Sequence, residues 1–208
     1  MSRRHEYKKR SSDLLFHFKG LEQGRNIDEV SGNPFTITNN SVLAWDSALN
    51  VNRFTVPSSN LGFYFTGLNL GFPVGEVISN LTIFAQIIPV TYGQTNLYPG
   101  GIGSAVTGSR QAYCRFSLDN RSGTFDYVPA GTNNWCMIAV DSDRVLRYYI
   151  NGNLVSQSTV ASLFSNNTNS VVTLYSSPYG NGRGTISLWN YRIYRGVLSL
   201  DEATSLLV

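Results

Sequence analysis

Charge is what this sequence has least of. Asp, Glu, Lys and Arg make up 14% of its 208 residues, against roughly a quarter in an ordinary soluble domain. Histidine occurs only at His5 and His17, too few for a convincing zinc site. No apolar run approaches the length of a membrane span. A secretory signal is not expected either, because the basic start is followed only by the short apolar run Leu14–Phe18. With so little charge, the polar surface must be built from Asn, Ser, Thr and Gly, which suit turns and exposed strand faces. That argues against a helical enzyme. A disordered chain is excluded by composition, since 42% of the residues are hydrophobic and 12% aromatic. All-β sandwiches of this length commonly form one domain.

The charge that is present is unevenly placed. Residues 1–12 hold Arg3, Arg4, Lys8, Lys9 and Arg10 against Glu6, a local +4. Residues 13–208 are nearly neutral and contain one lysine, Lys19. We therefore divide the chain into a basic N-terminal arm, 1–12, and a domain, 13–208. A basic arm on a neutral body disfavours a nucleic-acid-binding fold, which would carry its basic face on the domain itself. Only the arm offers nucleic acid a contact, and it suits an acidic protein surface equally well.

Along the domain, apolar residues recur with the period of two that marks strands. Leu14–Phe18 places Leu14, Phe16 and Phe18 on one face with His17 opposite. Short strands are predicted near Phe35–Thr38, Val42–Trp45 and Gly62–Thr66. Leu81–Pro89 is the clearest buried strand, apolar on both faces except at Thr82 and Gln86. The Gly- and Pro-rich segment Val90–Arg110 reads as the longest loop, and long loops are often functional. Gln111–Leu118, Thr124–Val128 and Trp135–Asp141 are predicted to form a meander. Arg144–Ile150 and Leu154–Ser158 flank Asn151-Gly152, a dipeptide that tolerates the positive φ of a type I′ turn at both positions. Val171–Tyr175 and Gly184–Tyr194 complete the strands. Ser199-Leu200-Asp201-Glu202 has the spacing of a capping box, predicting one short C-terminal helix. The fold class is all-β: a two-sheet antiparallel jelly-roll sandwich with a short C-terminal helix.

Four motifs in this order, LLFHFKG with the downstream IDEVSG, NWCMIAV, LRYYINGNLV and RIYRGVLSLDEATSLL, resemble the laminin-G-like, concanavalin-A-like jelly-roll family of lectins and glucanases. The resemblance covers residues 13–207, with 46–110 matching in pattern only, and Lys19 stands where that family carries an acidic residue. Trp135 is expected to fill the core between the sheets, and Arg192 and Tyr194 to pack the last strand against the helix.

Catalytic constellations are missing. Glucanases of this fold use paired carboxylates on one strand face, and retaining enzymes need them roughly 5–5.5 Å apart. No Glu-x-Asp-x-Glu motif exists here. Asp141 and Asp143 are suitably spaced but flank Ser142 in a hairpin turn. Gly180-Asn181-Gly182-Arg183-Gly184 lacks the helix a phosphate loop requires. No catalytic residue, no metal site and no cofactor is expected. Calcium, which many sandwiches bind through loop oxygens, has only Asp28, Asp119, Asp126, Asp141 and Asp143 to draw on, without a dense cluster. Cys114 and Cys136 are read as buried free thiols. In the predicted meander their strands are second neighbours, roughly 9–10 Å apart, beyond the reach of a disulfide.

Binding rests on loops. Tyr92, Tyr98, Tyr179 and Arg183 lie in Gly/Pro-rich segments, where aromatic rings and a guanidinium can stack on and hydrogen-bond sugars. The expectation is a non-enzymatic structural or binding domain on the surface of a phage or virus particle, a decoration or fibre component. The arm would anchor it to other capsid or tail proteins, with cell-surface glycans as ligands. The alternative is a stand-alone carbohydrate-binding module or lectin. Assembly in a host cytoplasm and homo-oligomerisation are both compatible with the sequence.

Overall fold

A computed structural model describes residues 13–37, 42–55, 64–66, 79–91, 102–103, 133–159, 171–173 and 185–208. The elements in chain order are β1 (Leu14–Phe18), β2 (Thr36–Ile37), β3 (Val42–Asp46), β4 (Val51–Thr55), β5 (Tyr64–Thr66), β6 (Leu81–Thr91), β7 (Ile102–Gly103), β8 (Asn134–Val140), β9 (Val145–Ile150), β10 (Asn153–Thr159), β11 (Val171–Thr173), β12 (Thr185–Arg195) and the helix α1 (Leu200–Thr204). All strand pairs are antiparallel. Among the described residues eight strands form one sheet in the order β10-β9-β8-β6-β12-β4-β3, with β1 added on β12, and four form a second, β2-β5-β11-β7. The fold is an all-β sandwich with one short helix, as the sequence predicts. Among the described residues no helix is long and apolar enough to cross a membrane.

Register assigns the faces of the large sheet. Leu81, Ile83 and Ala85 of β6 stand opposite Val140, Ile138 and Cys136 of β8, and all six are fully buried. Phe16 and Phe18 join this inner face, opposite Ile193 and Tyr191 of β12. Phe35 meets both phenylalanines edge-on, at ring separations of 5.6 and 5.5 Å. Each such side chain contributes roughly 1.5–3 kcal/mol through burial. The opposite, outer face is covered by the C-terminal segment. Phe84, Trp135, Met137 and Tyr194 pack there against Leu198, Ala203 and Leu206.

Local chemistry explains the two turns read from sequence. Asn151 and Gly152 have φ of 49° and 84°, so the β9–β10 hairpin uses the positive-φ turn its dipeptide favours. The Asn151 side chain accepts from the Trp135 amide at 2.9 Å and donates to Asn134 Oδ1 at 2.8 Å, pinning the turn to the start of β8. At α1, Ser199 Oγ accepts from the Glu202 amide, and Glu202 Oε2 accepts from the Ser199 amide at 2.8 Å. Both halves of the capping box are present.

Several expectations are corrected. Trp135 does not lie between the sheets; register puts it on the outer face, stacked on Phe84 at 5.8 Å beneath the C-terminal segment. The three-stranded meander cannot include β8, because β6 and β9 occupy both of its edges. Leu14 does not share a face with Phe16 and Phe18. A bulge between Leu14 and Phe16 turns Leu14 outward, where it packs on the cluster under α1. Val51–Thr55 is a strand the sequence reading missed, and Ile102–Gly103 pairs with β11 inside the segment taken as loop. The strand expected at Gln111–Leu118, with Cys114, and the one at Thr124–Val128 lie outside the described residues.

Candidate functional site

The backbone brings four strand ends to one rim of the large sheet. Thr91 at the end of β6 pairs with Thr185 at the start of β12. Thr185 pairs in turn with Thr55 at the end of β4, and Thr55 with Val42 at the start of β3. Tyr92 follows Thr91 directly, and Arg183 precedes Thr185 by two residues. The chain segments carrying two of the predicted ligand residues thus leave and enter the sheet through paired strand ends. Tyr92, Tyr98, Tyr179 and Arg183 themselves lie outside the described residues, as do Arg3, Arg4, Lys8, Lys9 and Arg10 of the arm.

Several of the described carboxylates are engaged in turns and ion pairs. Asp28, which is buried, accepts from the His17, Val30 and Ser31 amides at 3.0, 3.0 and 3.2 Å and from Ser31 Oγ at 2.7 Å. It thereby ties the 27–34 turn to β1. Asp46 accepts from the Ala48 and Leu49 amides. Asp141 accepts from the Asp143 and Val145 amides and from Arg147 at 2.7 Å. The Val145 amide and the Arg147 guanidinium hold its carboxyl below the usual carboxylate range. Glu29 pairs with Lys19 and Arg25, each at 3.1 Å. Of the calcium candidates, Asp28 and Asp141 therefore serve as turn anchors; Asp119 and Asp126 lie outside the described residues. Among the described residues no three His, Cys, Asp or Glu side chains gather as a metal would require.

Cys136 is a free thiol, buried on the inner face, with Tyr148 Oη at 3.9 Å. Burial pushes it up to about 12, so almost no thiolate forms near neutral pH and the group is chemically quiet.

A buried polar network on the outer face was not anticipated as a unit. Asn190 sits at φ 51° in a bulge of β12 and is almost fully buried. Its Nδ2 donates to Gln86 Oε1 at 2.5 Å and to the Leu206 carbonyl at 2.6 Å, and its Oδ1 accepts from Arg192 Nε at 2.7 Å. Gln86 donates to the Val208 carbonyl and accepts from the Val208 amide. The signal in the sequence was Gln86, a polar break in an otherwise apolar strand.

No protein-family model and no curated protein match the chain. Solved structures do. The binding domain of botulinum neurotoxin serotype D superposes with a TM-score of 0.62 at 12% identity, covering 94% of this chain and 50% of that one. The binding domain of botulinum neurotoxin DC, in complex with SialylT, gives 0.58 at 13% identity, covering 95% and 52%. Domain 4 of AbnA, an extracellular arabinanase from Geobacillus stearothermophilus, in complex with arabinotriose, gives 0.60 at 17% identity, covering 93% and 98%. The chain thus spans about half the length of the toxin binding domains and nearly the whole of the arabinanase domain. At these identities the likeness is one of fold, a jelly-roll-like β-sandwich of the kind found in carbohydrate- and receptor-binding domains.

Proposed function

We propose that this chain is a non-enzymatic recognition domain that binds oligosaccharide at the rim where β4 and β6 end and β3 and β12 begin. The observation that supports the reading is the Thr91–Thr185 pairing, because Tyr92 follows Thr91 and Arg183 precedes Thr185 by two residues in the sequence. Binding there needs no chemistry beyond stacking of rings on sugar faces and hydrogen bonds from the guanidinium. The arabinotriose and SialylT complexes of the similar structures support a sugar as ligand. The engagement of Asp28, Asp46 and Asp141 in turns supports a non-catalytic role.

The domain is displayed on a phage or virus particle and held to other capsid or tail proteins by the arm. The concentration of five basic residues in the first ten favours this over a free-standing carbohydrate-binding module, which has no use for such an arm.

Glycan-array binding of the full chain tests the first part. Tyr92→Ala and Arg183→Ala should each weaken binding tenfold or more, about 1.4 kcal/mol; wild-type protein that binds no glycan refutes the reading. Co-sedimentation with assembled particles tests the second. Deleting residues 1–12 should abolish attachment at low salt, and undiminished attachment at every ionic strength would make the arm a mere tail.

A further inference from the structure

His17 is enclosed on the outer face of the large sheet. It is 8% exposed, and its Nε2 is buried without a hydrogen-bond partner. On β12 its register partner is Arg192. Arg192 in turn donates to Asn190 Oδ1 at 2.7 Å. Both Asn190 amide protons already go to Gln86 and Leu206, so Asn190 has none to offer Nε2.

The same residues hold the C-terminal segment. Asn190 grips the Leu206 carbonyl, and Gln86 grips both backbone groups of Val208. Thr82 Oγ1 donates to the Gly196 carbonyl and accepts from the Leu198 amide. Beneath the segment lie Phe84, Trp135, Met137 and Tyr194.

We propose that this network is an acid-released latch: protonation of His17 frees residues 196–208 from the sheet and uncovers the apolar surface around Phe84 and Trp135.

In the charged ring both nitrogens carry a proton, and the one at Nε2 has no acceptor. Facing it are Arg192 from β12 and Lys19 from β1, both repulsive. The one nearby acid that favours the charged ring, Glu29 of the adjoining turn, is paired with Lys19 and Arg25. Burial first, and Arg192 second, hold the imidazole down to about 4 from its ordinary 6.5. Because the folded value is the lower one, the stabilisation is complete above pH 6.5 and disappears as pH falls toward 4. Opening the C-terminal segment relieves the strain at least cost. Its helix has only five residues, whereas β1 has Phe16 and Phe18 in the inner core.

Hydrogen exchange of the full chain, read by mass spectrometry at about pH 7 and about pH 4.5 and corrected for intrinsic rates, tests the latch. Residues 196–208 should open about 30-fold more often at acid pH. β6 and β8 should stay protected. Arg192→Gln should blunt the response and His17→Gln should remove it. Simultaneous loss of protection in β8 and 196–208, or an unchanged response in His17→Gln, overturns the proposal. If His17→Gln does not fold, NMR titration of the wild-type imidazole decides: a value at or above 6.5 overturns the proposal, and one well below sustains it.

Discussion

The two faces of the eight-stranded sheet are stabilised in different ways. The inner face is made of Leu81, Ile83, Ala85, Ile138, Val140 and Ile193, all fully buried, and its contribution depends on area and fit. The outer face mixes Phe84, Trp135 and Met137 with Thr82, Gln86, Asn190 and His17. Its cover is one terminal segment held by directional hydrogen bonds to that segment's own backbone. Apolar contacts respond mainly to lost volume, whereas buried polar groups respond to any loss of a partner. The inner face should therefore tolerate a change of pH that the outer face does not.

The largest effect should come from the inner face. Ile83→Ala removes a fully buried side chain from the middle of β6 and should cost about 3–4 kcal/mol in denaturant unfolding. A loss below about 1 kcal/mol would mean the inner face is loosely packed. On the outer face, Gln86→Ala leaves the Val208 amide and one Asn190 amide proton without partners. It should cost about 2–3 kcal/mol, and Gln86→Leu should cost as much or more, because volume alone restores no hydrogen bond. Acidification is the next test. Between pH 6.5 and 4 the wild type should lose about 2 kcal/mol relative to His17→Gln, allowing for screening at a partly hydrated ring. Equal slopes for the two proteins would assign the acid sensitivity elsewhere. Smallest is Ser199→Ala, which breaks the capping box for about 1 kcal/mol and should register as a fall in Tm of a few degrees.

What the sequence made legible on each face follows from period and chemistry. The apolar run of β6, the strands around Asn151-Gly152 and the capping box at Ser199 were readable because each has a local cause. The one-residue bulges at Leu15 and Asn190 were not, because an inserted residue reverses every later side chain without altering composition. That reversal is why Leu14 was placed with Phe16. It also hid the convergence of His17, Asn190 and Arg192, which depends on pairing between β1 and β12 across more than 170 positions of chain. β7 has two residues and no periodicity to read. For the rim, the sequence supplied the candidate residues, while only register brought Thr91 beside Thr185.

The turn at Asn151-Gly152 also bears on how the protein ages. Asn followed by Gly is the dipeptide most prone to lose its side-chain amide, because the glycine nitrogen meets little hindrance in attacking the neighbouring carbonyl carbon. Here the Asn151 carboxamide is fastened at both ends, its oxygen by the Trp135 amide and its nitrogen by Asn134. The rotation that attack requires breaks both bonds. Isoaspartate at position 151 should accordingly accumulate in denatured protein and not in folded protein, so its level in a stored sample is a chemical record of time spent with this hairpin open.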